Sequence, residues 1–254
     1  MASSTTANSA MAAPSNPAGK ALTIGIVGIV LTILGIFVSG GDKVAFAWLT
    51  AMTFWTGLAI GMLMLIMIHH IVDANWSTVI RRQFEHGIAA FKWLALLFVP
   101  LIVASIIEPS ILWKYFDPSF DLSRVGGHGT VASDVLWQKK SGLLSFEFFM
   151  VLTTISFGGW MLLSNRFRRC SFSQDMDGDI KWTRKSRFWS AIGLPFMAVT
   201  LSLCVILWVK ALDYHWFSTM FGVWYFAECV RGALAVGVLM MCWLTTRGDY
   251  QGVL

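Results

Sequence analysis

This sequence has few charged residues, and its cysteines do not form closely spaced pairs. Only 13% of the 254 residues are charged, which is about half the share typical of a soluble domain. The four cysteines are Cys170, Cys204, Cys229 and Cys242, and none lies in a C-x-x-C or C-x-x-C-H motif. Those motifs are typical of iron–sulfur clusters and of attached c-type haem. We therefore expect no attached haem c or iron–sulfur cluster in this chain. No other cofactor-binding motif, metal cluster or catalytic nucleophile is visible in the sequence, so we expect no cofactor of its own.

Apolar residues, in contrast, make up 56% of the chain and form six long stretches. The stretches cover residues 22–40, 45–71, 89–107, 143–163, 188–210 and 217–245. A bilayer core about 30 Å thick requires about 20 apolar residues in a helix, and lipid offers no partner to exposed backbone groups. The sequence predicts an all-α fold, a polytopic transmembrane bundle of about six spans within residues 20–254. Residues 1–19 are predicted to be a disordered tail, and Pro100 and Pro195 are expected to kink the third and fifth spans.

Basic residues are distributed unequally between the two sides of this predicted bundle. Eleven fall on one side: Lys20, Arg81, Arg82, Arg166, Arg168, Arg169, Lys181, Arg184, Lys185, Arg187 and Arg247. Six fall on the other: Lys43, Lys114, Arg124, Lys139, Lys140 and Lys210. The positive-inside rule predicts that both termini are cytoplasmic. Because the net charge of +5 follows this topology, it does not indicate nucleic-acid binding.

A stripe of polar residues is predicted along the sixth span. If that span is a helix, Tyr214, Ser218, Tyr225, Glu228 and Arg231 fall within about 140° of one another. Glu228 and Arg231 are three apart and can form an ion pair, which lowers the cost of placing either charge inside the membrane. A second polar face is predicted on the fourth span, where Glu147 aligns with Thr154, Gly158 and Asn165. The stripe is interpreted either as a structural pair between helices or as a pathway for protons or a quinone headgroup.

If the stripe is a proton pathway, it is part of a proton relay that crosses the membrane. Asp213 and His215 would lie at the outer mouth of the stripe, and Glu228 would be its deep proton-exchanging group. His69, His70 and Asp73 would form the cytoplasmic end. His69 and Asp73 are four apart, so on a helix they share a face and could hydrogen-bond. The alternative interpretation of these three residues is a cap that marks where the second span leaves the lipid.

Two segments outside the stretches are expected to be ordered. Residues 74–86 carry apolar residues on one side and charged residues on the other, which predicts a short helix lying in the membrane interface. Residues 108–142 are interpreted as an extramembrane connection with aromatic anchors, or as a docking surface for a partner.

Four segments resemble one known family, in the same order. Residues 211–226 read ALDYHWFSTMFGVWYF and resemble a block D-x-H-W-(F/Y)-S-T-(I/M)-F-G-V-x-Y-F. Residues 68–70, 76–82 and 166–179 are similar to further segments of the same proteins. The chain thus resembles a membrane-spanning component of alternative complex III, a quinol:electron-acceptor oxidoreductase related to polysulfide-reductase membrane subunits.

This resemblance implies a non-redox subunit of the bacterial inner membrane with a structural role, and with proton conduction as a second expectation. The implied partners are a homologous quinol-binding membrane subunit, an iron–sulfur subunit and multihaem cytochrome c subunits, which would hold the iron–sulfur clusters and haem c. The family continues through about four more helices, so we expect a split, partial or shortened form.

Alternatives from other classes remain open. A stand-alone secondary transporter would be expected to contain an internal repeat, and residues 20–130 and 140–250 show no convincing one. A di-haem b cytochrome would need histidines facing each other, whereas His69 and His215 are predicted at opposite membrane faces. Another membrane scaffold subunit is also compatible with the sequence.

Overall fold

The computed structural model of this chain describes residues 17–246, which contain eight α-helices and no strand. The helices are α1 (Pro17–Ser39), α2 (Gly41–Val72), α3 (Thr78–Gly87), α4 (Phe91–Ile107), α5 (Val135–Lys140), α6 (Phe146–Asp177), α7 (Lys181–Trp208) and α8 (Phe221–Thr246). Six helical segments are long and apolar enough to cross a membrane, and α3 and α4 together supply one of them. The predicted all-α, multi-pass bundle is therefore confirmed. Most of the predicted tail, residues 1–16, and Arg247 lie outside the described residues.

The chain divides after Val44 into two compact units. The first contains α1 and the opening of α2, separated by Gly40. The φ of Gly40 is +94°, a left-handed conformation that glycine adopts without steric strain from a Cβ atom. The apolar run of α1 ends at this turn. The second unit contains the rest of α2 and all later helices.

Helix α2 is the core of the second unit. Between Thr56 and Met67 every α2 residue is buried, including Ile60 and Leu63 at 0% exposure. This part of α2 is therefore covered by other helices of the unit and not by lipid. A Cβ atom placed on Gly61 would lie 2.0 Å from the backbone oxygen of Cys229. Glycine at this position therefore lets α2 approach the backbone of α8.

Helices α6 and α7 form an antiparallel hairpin joined by three buried side-chain hydrogen bonds, which we call the α6–α7 ladder. Its bonds are Trp160 Nε1 to Thr200 Oγ1 at 3.1 Å, Cys204 Sγ to Ser156 Oγ at 3.1 Å, and Trp208 Nε1 to Thr153 Oγ1 at 3.0 Å. Hydrogen bonds between small polar and aromatic side chains are a common means of joining helices in lipid. The ladder fixes the register of the hairpin.

Residues 164–187, which the apolar stretches leave as a loop between the fourth and fifth predicted spans and which carry seven of the basic residues, are mostly helical. Helix α6 continues past the apolar stretch to Asp177, and α7 begins at Lys181. Helix formation does not require apolar residues, and Arg, Gln and Met are good helix formers. The chain turns only at Gly178, whose φ of +65° is typical of a helix C-terminus. Pro100 and Pro195 lie inside α4 and α7.

The short helix predicted within residues 74–86 is present as α3, but it is continuous with the next span. It continues through a 3-10 turn at Ile88–Ala90 into α4, and its apolar side packs into the bundle. Ile80 and Phe84 are buried, and the Phe84 ring lies within 2.9 Å of the position that a Cβ on Gly237 of α8 would occupy. The amphipathic pattern thus reflects burial against protein.

Residues 108–145 form an ordered connection, as expected. Trp113 Nε1 donates to the carbonyl of Trp208 at 3.0 Å, and Tyr115 Oη donates to that of Leu207 at 3.2 Å. These bonds satisfy carbonyls at the C-terminus of α7 that have no partner within the helix. We call this end of the second unit the loop end, and the end that carries the α2–α3 and α6–α7 turns the basic end.

Candidate functional site

A cluster of polar side chains lies at the basic end, starting from the last turn of α2. His69 Nδ1 lies 2.7 Å from Ser77 Oγ, and Arg81 Nη1 lies 3.1 Å from His69 Nε2. A guanidinium has only donors, so Nε2 accepts and Nδ1 carries the proton that it donates to Ser77. His70 is buried beside this ring, stacked on Phe167 with ring centroids 5.8 Å apart. Both histidines are therefore held by protein contacts.

Glu85 is the buried carboxylate of this cluster, with a side chain that is 1% exposed. It lies 3.4 Å from Arg81 Nε and 3.0 Å from Arg82 Nη1, and it accepts a hydrogen bond from Ser171 Oγ at 2.6 Å. Arg82 also donates to Ser171 at 3.0 Å and pairs with Asp175. A carboxylate can remain charged in such a place because paired cations and a hydroxyl replace its hydration. The network joins α2, α3 and α6.

The predicted hydrogen bond between His69 and Asp73 is not formed. Helix α2 ends at Val72, and Asp73 has a φ of +54°, so the two residues do not lie on one continuous helix face. Asp73 instead pairs with Arg187 of α7 at 2.9 Å, and its side chain is 77% exposed. The chain therefore places His69 inside the cluster and Asp73 at its surface.

A second cluster lies at the loop end, around Asp134. Asp134 Oδ2 accepts from Tyr214 Oη at 2.9 Å and lies 2.6 Å from His215 Nε2, while Oδ1 accepts from the backbone N–H of Leu136 at 2.8 Å. Asp213 accepts from the backbone N–H of His215 at 3.1 Å. The cluster ties the 108–145 connection to the segment between α7 and α8.

The contacts around Asp134 stabilise the charged form of its carboxylate over the protonated form. Burial raises the pKa of Asp134, but the bonds from Leu136 and Tyr214 and the imidazole of His215 outweigh it, so the pKa lies below its usual range. Burial and the bonded Asp134 carboxylate raise the pKa of Tyr214 above its usual value. Tyr214 therefore donates a proton in this hydrogen bond and does not release it near neutral pH.

A polar cleft of about 420 Å³ opens beside this cluster. It is lined by Lys114 and Asp213 and by the glycine pair Gly126 and Gly127. The cleft lies at the loop end, on the side where a partner docking on residues 108–142 would bind.

The predicted polar stripe is not continuous, because α8 begins only at Phe221. Tyr214 and Ser218 lie in the connection before the helix, so helical spacing does not apply to them. Tyr225 points inward, where its hydroxyl donates to the carbonyl of Thr53 on α2 at 2.6 Å. The stripe thus divides into a loop-end cluster and groups on α8 that do not contact it.

Glu228 and Arg231 form the predicted ion pair, with Arg231 Nε 2.9 Å from Glu228 Oε2. The pair faces outward. The Arg231 side chain is 77% exposed and that of Glu228 is 35% exposed, whereas Cys229 and Ala233 on the other side of α8 are buried. The pair is therefore on the exterior of the second unit.

The second predicted polar face, on α6, also faces outward. Glu147, Thr154, Gly158 and Asn165 are exposed, and a Cβ added to Gly158 would meet nothing within 4 Å. The acidic side chain of Glu147 lies in the first turn of α6, where it interacts favourably with the helix dipole.

The buried polar face of α6 was missed by sequence reasoning. Thr153, Ser156, Ser164 and Ser171 are all buried, and they connect α6 to α7, to the Ile88 carbonyl and to Glu85. Their separations of 3, 8 and 7 residues keep them on one helix face. This spacing could have revealed the buried polar face, but isolated Ser and Thr residues are harder to recognise in an apolar helix than charged residues.

No protein-family model matches this chain. A comparison with curated proteins likewise found no match. The resemblance to alternative complex III therefore rests on the four sequence segments. The structure distributes them over both ends of the second unit: residues 211–226 connect α7 to α8, and residues 68–70, 76–82 and 166–179 contribute to the basic end.

Within residues 17–246, no group of three or more His, Cys, Asp or Glu side chains is arranged to hold a metal ion. His69 and His215 lie at opposite ends of the second unit. The absence of a cofactor in this chain stays a prediction, as does the relay.

Proposed function

We propose that this chain is an integral membrane subunit of a quinol:electron-acceptor oxidoreductase of the alternative complex III type. Its role is structural, and the redox centres belong to an iron–sulfur subunit and multihaem cytochrome c subunits. The four sequence segments support the type of complex. The observation that carries the subunit role is the outward-facing ion pair of Glu228 and Arg231.

The depth of this pair makes lipid an unfavourable neighbour. Helix α8 has 26 residues and is about 39 Å long, and Arg231 lies about 15 Å from its first residue. With a hydrocarbon core about 30 Å thick, the guanidinium would be near mid-membrane. Glu228 offsets its charge but accepts from Nε and one terminal nitrogen only, so other N–H groups need acceptors. Exposing them to hydrocarbon costs several kcal/mol.

Another membrane subunit with a hydrogen-bond acceptor at the same depth would pair with the remaining N–H groups of Arg231. A carboxylate, amide or hydroxyl on a transmembrane helix would satisfy the free donors of Arg231. The homologous quinol-binding subunit is the candidate that the resemblance supplies. The loop end, with its polar cleft, is available to the extramembrane redox subunits.

A charge swap tests this proposal. The double variant Glu228→Arg with Arg231→Glu keeps an ion pair within α8 but replaces the donor that the partner meets with an acceptor. We expect the tagged wild-type chain to co-purify with iron–sulfur and multihaem proteins in mild detergent, and the swapped chain to lose them. Ile155→Leu, a conservative change at an exposed position on α6, is the matched control and should retain them.

Two results would count against parts of the proposal. If the wild-type chain purifies without any haem or iron–sulfur protein, the assignment to this type of complex is wrong. If the swapped chain assembles as well as the wild type, the subunit role survives and the α8 contact is discarded. Substrate uptake by vesicles that contain this chain alone would favour the alternative, a secondary transporter.

A further inference from the structure

Three nitrogen-bearing side chains surround one aromatic ring at the basic end. Arg82 Cζ lies 5.1 Å and Arg168 Cζ 5.6 Å from the ring centroid of Phe172, and the His86 ring is 6.1 Å away. Both guanidiniums interact with the ring face at distances typical of cation–π contacts. The ring thus holds two cations close together.

The charges of this group are not balanced. Arg82 is engaged by Glu85 and Asp175. Arg168 pairs with no acidic side chain among residues 17–246, and its Nε atom is buried without a hydrogen-bond partner. Because the two carboxylates already serve Arg81 and Arg82, the group has an excess positive charge at Arg168. An anion is the ligand that would complete it.

The position of Arg168 matches the headgroup region of a bilayer. The apolar stretch of α6 ends near residue 163, so Arg168 lies about 8 Å beyond it along the helix. Lipid phosphates occupy this layer, and basic pockets between helices are recurrent sites for anionic headgroups.

An apolar groove begins one helical turn from His86. It has a volume of about 370 Å³ and lies between α2 and α4, with Trp48, Met52, Trp55, Trp93 and Leu97 in its walls. Ala90 also lines it and follows His86 by four residues, across the 3-10 turn at Ile88–Ala90, so the groove begins about 6 Å further along the α3–α4 span. Along this span, the groove therefore begins about one turn from the cationic group.

We infer that this surface binds an anionic phospholipid. The guanidinium of Arg168 binds the phosphodiester beside His86, and one acyl chain occupies the groove between α2 and α4. A zwitterionic lipid would be disfavoured because its own ammonium group competes with Arg168 for the phosphate. A free phosphate would leave the groove empty, and an uncharged isoprenoid would leave Arg168 unpaired.

The test is lipid binding to the purified, delipidated full-length chain in detergent, followed by native mass spectrometry. We expect phosphatidylglycerol to bind about tenfold more tightly than phosphatidylcholine, and Arg168→Gln to abolish this difference. Arg169→Gln is the matched control, because Arg169 is the exposed next residue, and it should preserve the difference. Ala90→Leu should fill part of the groove and weaken phosphatidylglycerol binding while leaving Arg168 intact.

Several outcomes would overturn the inference. Equal losses in Arg168→Gln and Arg169→Gln would mean diffuse attraction to a basic surface. Inorganic phosphate that displaces phosphatidylglycerol at equal concentration would mean an anion site without a lipid. Binding that depends on Ala90 but not on Arg168 would mean an uncharged occupant. A melting temperature recorded for each variant separates loss of binding from loss of the fold. If Arg168→Gln does not fold, Arg168→Lys, which keeps the charge but cannot bind a phosphate through two parallel hydrogen bonds, should weaken phosphatidylglycerol binding in its place.

Discussion

Glu85 connects α3 to α6, and its negative charge strengthens its contacts with two guanidiniums. Its carboxylate serves Arg81, Arg82 and Ser171 together. The neutral amide of Gln keeps the shape but removes the charge that both guanidiniums need. The effect of this residue is therefore electrostatic as well as steric.

We predict that Glu85→Gln lowers the free energy of unfolding by about 2 kcal/mol, less than for fully buried pairs because both arginines are partly exposed. Asp175→Asn is the matched control, since Asp175 contacts Arg82 at the surface, and it should cost less than about 1 kcal/mol. Thermal unfolding in detergent measures both. Equal decreases in melting temperature for the two variants would show that burial of Glu85 does not increase its contribution to stability.

Glu228→Gln separates the two interpretations of the ion pair on α8. Because the pair faces outward, we expect the variant to reduce assembly of the complex and to leave the number of protons translocated per electron unchanged. Proton uptake by vesicles during quinol oxidation gives this ratio. Normal assembly with a reduced ratio would instead support the relay hypothesis.

Asp134 should make the loop end sensitive to acid. Its pKa is lowered in the folded protein, so its contribution to stability is present above the ordinary carboxyl value of about 4 and is lost as the pH falls through the folded pKa. We expect Asp134→Asn to unfold at a lower temperature than the wild type at pH 7, with the gap closing below about pH 4. Asp213→Asn, at an exposed neighbour, should follow the wild-type curve. A gap that persists at low pH would mean that the charge of Asp134 contributes nothing.

At the level of elements, the contact between α2 and α8 depends on one missing side chain. We predict that Gly61→Ala costs about 2 kcal/mol or more, because its Cβ would overlap the Cys229 carbonyl. Gly158→Ala is the control on an open helix face and should be neutral or slightly stabilising through helix propensity. Thermal unfolding of the two variants tests this, and similar stabilities would contradict the close approach of α2 and α8.

The number and type of the spans could be predicted because the length of an apolar run reports directly on the membrane. Their ends could not. Helix α6 continues through residues 164–177 on helix propensity, and α8 starts only at Phe221, which removed Tyr214 from the predicted stripe. The ion pair of Glu228 and Arg231 was predicted correctly because its spacing is local. The burial of Glu85 could not be predicted, because it depends on which helices surround α3, and no local pattern encodes that.

For the whole molecule, the sidedness of the bundle remains a prediction from its basic residues. In a cysteine-free background, Met176→Cys and Ala132→Cys place labels at exposed positions on opposite ends. We expect a membrane-impermeant reagent applied from outside to modify the residue 132 label and spare the residue 176 label. Modification of both in sealed cells would contradict the topology.

The α6–α7 ladder also bears on how the protein is made. Its three bonds join residues that are 40 to 55 positions apart, and only Gly178 to Ile180 separate the two helices. The hairpin can therefore close soon after α7 leaves the ribosome, before α8 has emerged from it. A hairpin that inserts as one unit would give α8 a folded surface to pack against. The bundle would therefore assemble from the middle of the chain toward its C-terminus.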